Sequence, residues 1–177
     1  LNVDMVSAYW AGVGMGDITG PSSDVNFMGY AMPGQISGGI WFRLHARAFV
    51  FGADDSGQDG KADRVAFVSV DNGMGSAAVN TEVIKRLDKV LPGVYTAENV
   101  AISGTHTHSA PAGFLPYVLF QITSLGFIHD AFEPMVQGIT DAILEAHRGA
   151  KAQRKIRVGR GKRPPGYSAI NRSPSAY

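Results

Sequence analysis

Cysteine is absent from the 177 residues, so no disulfide framework braces the fold and no thiolate can hold a metal. The same absence leaves the redox compartment open. Charged residues are scarce at 18%, against 45% hydrophobic, which excludes the low-hydrophobicity, high-charge regime of disordered chains. A formal net charge of +1 gives the whole chain no argument for nucleic acid. No basic segment followed by an apolar core opens the sequence, and a leader removed or never present stays equally open. Long apolar runs are also missing. The longest stretch of low charge, Ala110 to His129, is interrupted by Pro111, Pro116, Gln121, Thr123 and Ser124. It is expected to be a buried segment or a substrate-facing wall rather than a transmembrane helix.

Glycine, by contrast, is plentiful at 22 residues and implies tight loops and close backbone approaches. From Trp10 to Gly39 its density reads as irregular structure. The run 41–51 alternates Arg43, His45 and Arg47 with Phe42, Leu44, Ala46 and Ala48, the period of a half-buried strand. A polar turn over 54–63 precedes 64–71, which is apolar on both faces like a central strand. Val79, Val83, Ile84, Leu87, Val90 and Leu91 then form one helical stripe over 76–91, stopped by Pro92-Gly93. Residues 99–103 give another short buried strand, and the order strand, helix, strand implies a parallel crossover. A second helix is expected over about 131–147, with Phe132, Met135, Val136, Ile139 and Ile143 facing the core. Asp130 is its expected N-cap, with Glu133 three residues on. The fold class is α/β, one domain over 1–177 with a mixed, largely parallel sheet flanked by helices. The basic stretch from Lys151 to Arg163 reads as a solvated strand and loop, with a membrane-surface or nucleic-acid patch as the alternative.

The sharpest local feature is Gly104-Thr105-His106-Thr107-His108-Ser109, directly after the strand ending at Ser103. Two histidines at i and i+2 on extended chain point to the same side. At the carboxyl end of a parallel strand, that side faces the crevice where α/β proteins bind ligands. Imidazole suits zinc, and a catalytic zinc takes about three protein ligands plus a water. An isolated pair of this kind also arises from hydrogen bonding within a fold, and the spacing alone leaves both readings open. Asp17 and Asp71 stand at loop or strand ends, where they can orient histidines or simply cap turns. His45, His129 and His147 match no ligand spacing and read as packing or surface residues.

The wider run Asn99 to Phe114 resembles the zinc-histidine segment of the neutral ceramidases. Gly12-Val13-Gly14-Met15-Gly16-Asp17-Ile18-Thr19-Gly20-Pro21 resembles that family's opening, as do Met28-Gly29-Tyr30-Ala31 and Arg47-Ala48-Phe49-Val50. Asn171-Arg172-Ser173-Pro174-Ser175-Ala176-Tyr177 resembles a later motif in the same order. The resemblance implies the N-terminal part of a zinc-dependent amidase that cleaves ceramide to a sphingoid base and a fatty acid. Carried over by position, it makes His106 a zinc ligand. His108 would be a catalytic and substrate-contacting residue, and Arg172 a cationic donor in the same pocket. It also implies ceramide as partner and a secretory, secreted or membrane-associated location, with contact to a membrane surface.

The departures matter equally. The family's further zinc ligands and its Gly-Asp-x-Ser-Pro-Asn segment have no match in these 177 residues, so the rest of a catalytic domain is required and the piece alone is expected to be inactive. Phe114, Leu115, Tyr117, Val118, Leu119, Phe120, Ile122, Leu125 and Phe127 are candidates either for a lipid-tail slot or for ordinary core. Asn171-Arg172-Ser173 fits a glycosylation sequon, but a pocket role for Arg172 argues against its use. Two alternatives remain: another metal-dependent amidohydrolase, and a non-catalytic fragment.

Overall fold

The computed structural model describes residues 4–29, 32–53, 64–159 and 161–162. In chain order the elements are β1 (Asp4–Asp17), β2 (Ser23–Asn26), β3 (Ile36–Gly38), β4 (His45–Ala53), β5 (Val65–Val70), α1 (Ala77–Val90), β6 (Val100–Gly104), α2 (Val118–Ser124), α3 (His129–Gly149) and β7 (Lys151–Val158). Five strands form one sheet in the order β6-β5-β4-β1-β7, and β2 with β3 forms a small hairpin. The α/β class holds, but the sheet is not largely parallel. Among the described strands of this sheet only β5 and β6 run parallel, while β4–β5, β1–β4 and β1–β7 are antiparallel. Parallel neighbours need a crossover, and α1 is the only described helix that joins two adjacent strands.

Composition misleads most at the start of the chain. The glycine-dense opening contains the longest strand, β1, paired to β4 from Tyr9↔Ala53 to Asp17↔His45. Its glycines alternate with Val13 and Met15, so Gly12, Gly14 and Gly16 share one face, and α3 lies directly on them. A Cβ at Gly12, Gly14 or Gly16 would fall on the carbonyl oxygen of Ala146, Ala142 or Gly138 respectively. Across the same face Ala46, Ala48, Val50, Ala66, Val68 and Val70 are buried against Met135, Val136, Ile139 and Ile143.

Both long helices match their periodicity. Ser76 caps α1 by accepting from the Val79 amide, and Val79, Val83 and Leu87 are its buried residues, while Val90 faces solvent. The start of α3 differs from expectation. Its N-cap is Ile128 without a side-chain cap, and Asp130 sits in the first turn instead. There its charge favours the helix dipole without closing a capping bond. Arg86 of α1 clamps α3 by a two-pronged contact to Glu133, 2.8 Å on each arm. That fork holds the Glu133 carboxyl below the usual carboxylate range.

The opposite face of the sheet carries no described helix. Strand β6, read from sequence as a short buried strand, is an edge strand among the described residues. The basic stretch after α3 forms β7 on the other edge. No described helix is long and apolar enough to cross a membrane.

Candidate functional site

The parallel pair β5–β6 ends at Val70↔Gly104, and two loops leave from there. After β5 come Asp71-Asn72-Gly73-Met74; after β6 come Thr105 to Pro111. The Thr105 amide still donates to the Val70 carbonyl at 2.8 Å, so the second loop starts tied to the first strand. His106 then adopts φ 63°, in the left-handed region. The chain is therefore not extended across 106–108, contrary to the expectation of an i, i+2 pair on a strand. The two rings meet all the same, edge to face with centroids 4.8 Å apart.

The turn at His106 brings its Nδ1 to 2.6 Å from the Gly73 carbonyl oxygen. A carbonyl only accepts, so Nδ1 carries the proton and donates, which leaves the Nε2 lone pair available. Backbone carbonyls orient metal-binding histidines in the same way. His106 is exposed and lines an open cleft of about 240 Å³ with Phe27, Met28, Met74, Leu119 and Phe120. His108 is half-buried beneath Gly29, where a Cβ would lie 2.5 Å from the ring. The motif Met28-Gly29 thus sits on the histidine loop. The Met28 amide donates to Ala110 at 3.2 Å and the Ala112 amide to Asn26 at 2.8 Å.

Neither aspartate singled out from sequence orients these histidines. Asp17 accepts from the Thr19 amide at 2.8 Å and pairs with Arg43 at 3.5 Å; its pKa is lowered chiefly by the Thr19 side chain, with the amide and Arg43 adding to it. Asp71 accepts from the His45 amide at 3.0 Å and from Arg47 at 2.9 Å. Both act as turn and ion-pair residues. His147 lies elsewhere, packed with Trp10, Arg64 and Tyr95, and His129 opens α3. Arg172 falls outside the described residues, as do Tyr30 and Ala31 and the sequon at 171–173.

The candidate lipid segment divides in two. Phe114 and Leu115 are core, whereas Val118, Leu119, Ile122 and Leu125 are exposed on and just after α2. Leu119, Phe120 and Thr123 turn toward the cleft that His106 lines. Sequence reasoning missed Gly73, whose carbonyl sets the His106 tautomer, and Asn72, buried at 2% beside Gly104. The signal lay in a polar Asp71-Asn72-Gly73 turn placed directly after a central strand.

In its donor chemistry the loop fits part of a metal centre: one imidazole locked by a carbonyl, with a second beside it. Among the described residues no group of three or more histidines, aspartates or glutamates completes a donor set.

An α/β scaffold with a histidine loop at the carboxyl ends of a parallel strand pair belongs to the class of α/β proteins that bind ligands in that crevice. Within it, a family model described as neutral/alkaline non-lysosomal ceramidase, N-terminal, matches residues 9–177, and the chain belongs to that family. It is 46% identical to neutral ceramidase 3 of Arabidopsis thaliana over 97% of its length, covering 22% of that protein. It is 44% identical to the neutral ceramidase of Drosophila melanogaster, covering 98% of this chain and 23% of that one. The crystal structure of neutral ceramidase from Pseudomonas aeruginosa superposes with a TM-score of 0.76 at 38% identity. That match covers 82% of this chain and 22% of the solved one. The chain therefore spans less than a quarter of the length of these relatives.

Proposed function

We propose that these residues supply the first part of a zinc-dependent active site that hydrolyses the amide bond of ceramide. The observation that carries the reading is the 2.6 Å contact from His106 Nδ1 to Gly73, which leaves Nε2 as the coordinating atom. His106 is the proposed ligand, completed by residues beyond this chain. Zinc, when bound, lowers the pKa of a coordinated water and polarises a carbonyl.

The chain's own residues have separate tasks. The Gly73 carbonyl holds the His106 tautomer. His108, pressed under Gly29, presents its imidazole beside the ligand to contact substrate. Arg172, by the motif it stands in, would offer a planar fork of donors to oxygen-rich groups of the substrate. The apolar wall of Phe27, Met28, Leu119 and Phe120 excludes water from a hydrocarbon chain. The uncharged, exposed face of Val118, Leu119, Ile122 and Leu125 suits contact with the lipid surface from which such a substrate comes. That source also fits a secreted or membrane-associated protein.

The test is made in the full-length protein that carries this chain. His106→Ala should lose both bound zinc and ceramide hydrolysis, while His108→Ala should lose turnover and keep much of the metal. Arg172→Lys should cut turnover at an unchanged melting temperature. Wild-type zinc content and turnover in His106→Ala would refute the ligand assignment. A melting shift with normal turnover in Arg172→Lys would assign that residue to a structural ion pair.

A further inference from the structure

The uncovered face of the sheet is built from rows that cross several strands. One row is Val13, Phe49, Phe67 and Ala101, set opposite one another by the β1–β4, β4–β5 and β5–β6 registers. The next row places Phe51 beside Val65. Val13 is 68% exposed, Val65 49% and Phe67 42%. Within β1, β4 and β5 no charge interrupts either row, and Lys151, opposite Ala11 on the edge strand β7, flanks the second. A sheet face that ends at solvent carries polar residues at these alternate positions. Here large apolar side chains occupy both faces of β5, the pattern of a strand covered on two sides. Polarity begins only one row further, at Arg47, Ser69 and Ser103, nearer the histidine loop.

Which partner covers this face follows from length. The chain accounts for 22% of the Pseudomonas enzyme and a similar share of the other relatives, so more than three-quarters of such a protein lies outside it. An exposed apolar face on the central three strands is where that remainder must dock. We propose that a later segment of the same polypeptide packs an apolar layer onto Val13, Phe49, Phe51, Val65 and Phe67. The sheet then lies between α1 and α3 on one side and the added layer on the other. This inference rests on family membership and not on zinc or amidase chemistry, so the two stand or fall apart.

These 177 residues contain no cysteine, so each substitution adds one labelled position within them. Phe67→Cys and Val13→Cys are made in the full-length protein and in the 177-residue chain, with Lys89→Cys on α1 as an accessible control. Maleimide labelling is mapped to each position by mass spectrometry. In the full-length protein, positions 67 and 13 should react on the order of 100-fold or more slowly than position 89, as for sites exposed only by local unfolding. In the isolated chain they should react at comparable rates. Fast labelling of 67 and 13 in the full-length protein in buffer would overturn the proposal. If such labelling were suppressed only by phosphatidylcholine vesicles, the occupant would be a membrane. Protection in the isolated chain that grew with its concentration would instead assign the face to a second copy. A circular-dichroism melt of each variant confirms that slow labelling reports burial in a folded protein.

Discussion

His147 shows how a histidine without ligand spacing can still govern behaviour. Its Nδ1 lies 3.0 Å from the Tyr95 hydroxyl and 3.3 Å from an Arg64 nitrogen. Arg64 has only donors and also lies 3.5 Å from Nε2, so one ring nitrogen must stay an unprotonated acceptor and the imidazole neutral. Burial, then Arg64 and Arg148, lowers the His147 pKa below its ordinary 6.5. Burial also pushes the Tyr95 phenol up to about 12, so it remains a neutral donor. The sign follows directly. With the folded pKa depressed, the unfolded chain binds the proton more readily, so the contribution is fully present above about 6.5 and is lost as pH falls. The melting temperature should therefore drop on acidification below about 6.5. His147→Gln, which keeps an acceptor and cannot titrate, should flatten that dependence. An unchanged slope in the variant would mean that other groups carry the pH response. The sequence showed no ligand spacing at His147; it could not show that Trp10, Arg64 and Tyr95 would surround it from three separate parts of the chain.

At the scale of elements, the β1–α3 contact explains both the glycine content and the failure to read β1 from it. Glycine weakens a strand in isolation, so its density suggested irregular chain. What stabilises β1 is a helix with its own small residues at matching intervals. Gly138, Ala142 and Ala146 recur every four residues and rise about 6 Å per step along a helix. Gly16, Gly14 and Gly12 recur every two and rise about 6.6 Å along a strand. The two series run in opposite directions and meet pair by pair. Each series is visible in the sequence, but their pairing is a tertiary fact. Gly14→Ala should destabilise the protein by about 1–3 kcal/mol, a fall in melting temperature of about 2–4 °C per kcal/mol at this length. Because the new Cβ would meet the backbone carbonyl of Ala142, trimming that residue in Gly14→Ala/Ala142→Gly should not restore stability. Recovery in the double variant would show that the helix can shift and that the contact is not a backbone stop. The strands β4, β5 and β6 and the stripes of α1 and α3 were legible because burial enforces periods of two and 3.6. The cap of α3 was not, since Asp130 competes with a chain path set by the Gly113–Ile128 backbone bond.

For the whole molecule, the histidine loop was legible as a motif, and its geometry was not. The left-handed turn at His106 and the carbonyl of Gly73 depend on two loops emerging side by side from a parallel pair within a mostly antiparallel sheet. The same topology leaves the site open. Strand β6, which leads into the loop, has no described neighbour on its outer side, and the apolar face below it is bare. A catalytic zinc takes about three protein ligands and an open position. His106 and His108 are the two candidates this loop brings together. These 177 residues by themselves should therefore bind zinc weakly and not hydrolyse ceramide. The unpaired edge of β6 should also favour association between chains. The measurement is a fluorogenic ceramide assay with added zinc, made on a preparation shown by light scattering to be monomeric and by a cooperative melt to be folded. Absence of turnover, with zinc lost on dialysis, is the expected result. Zinc-dependent turnover that disappears in His106→Ala would show that residues within the chain complete the site without the remainder of the protein.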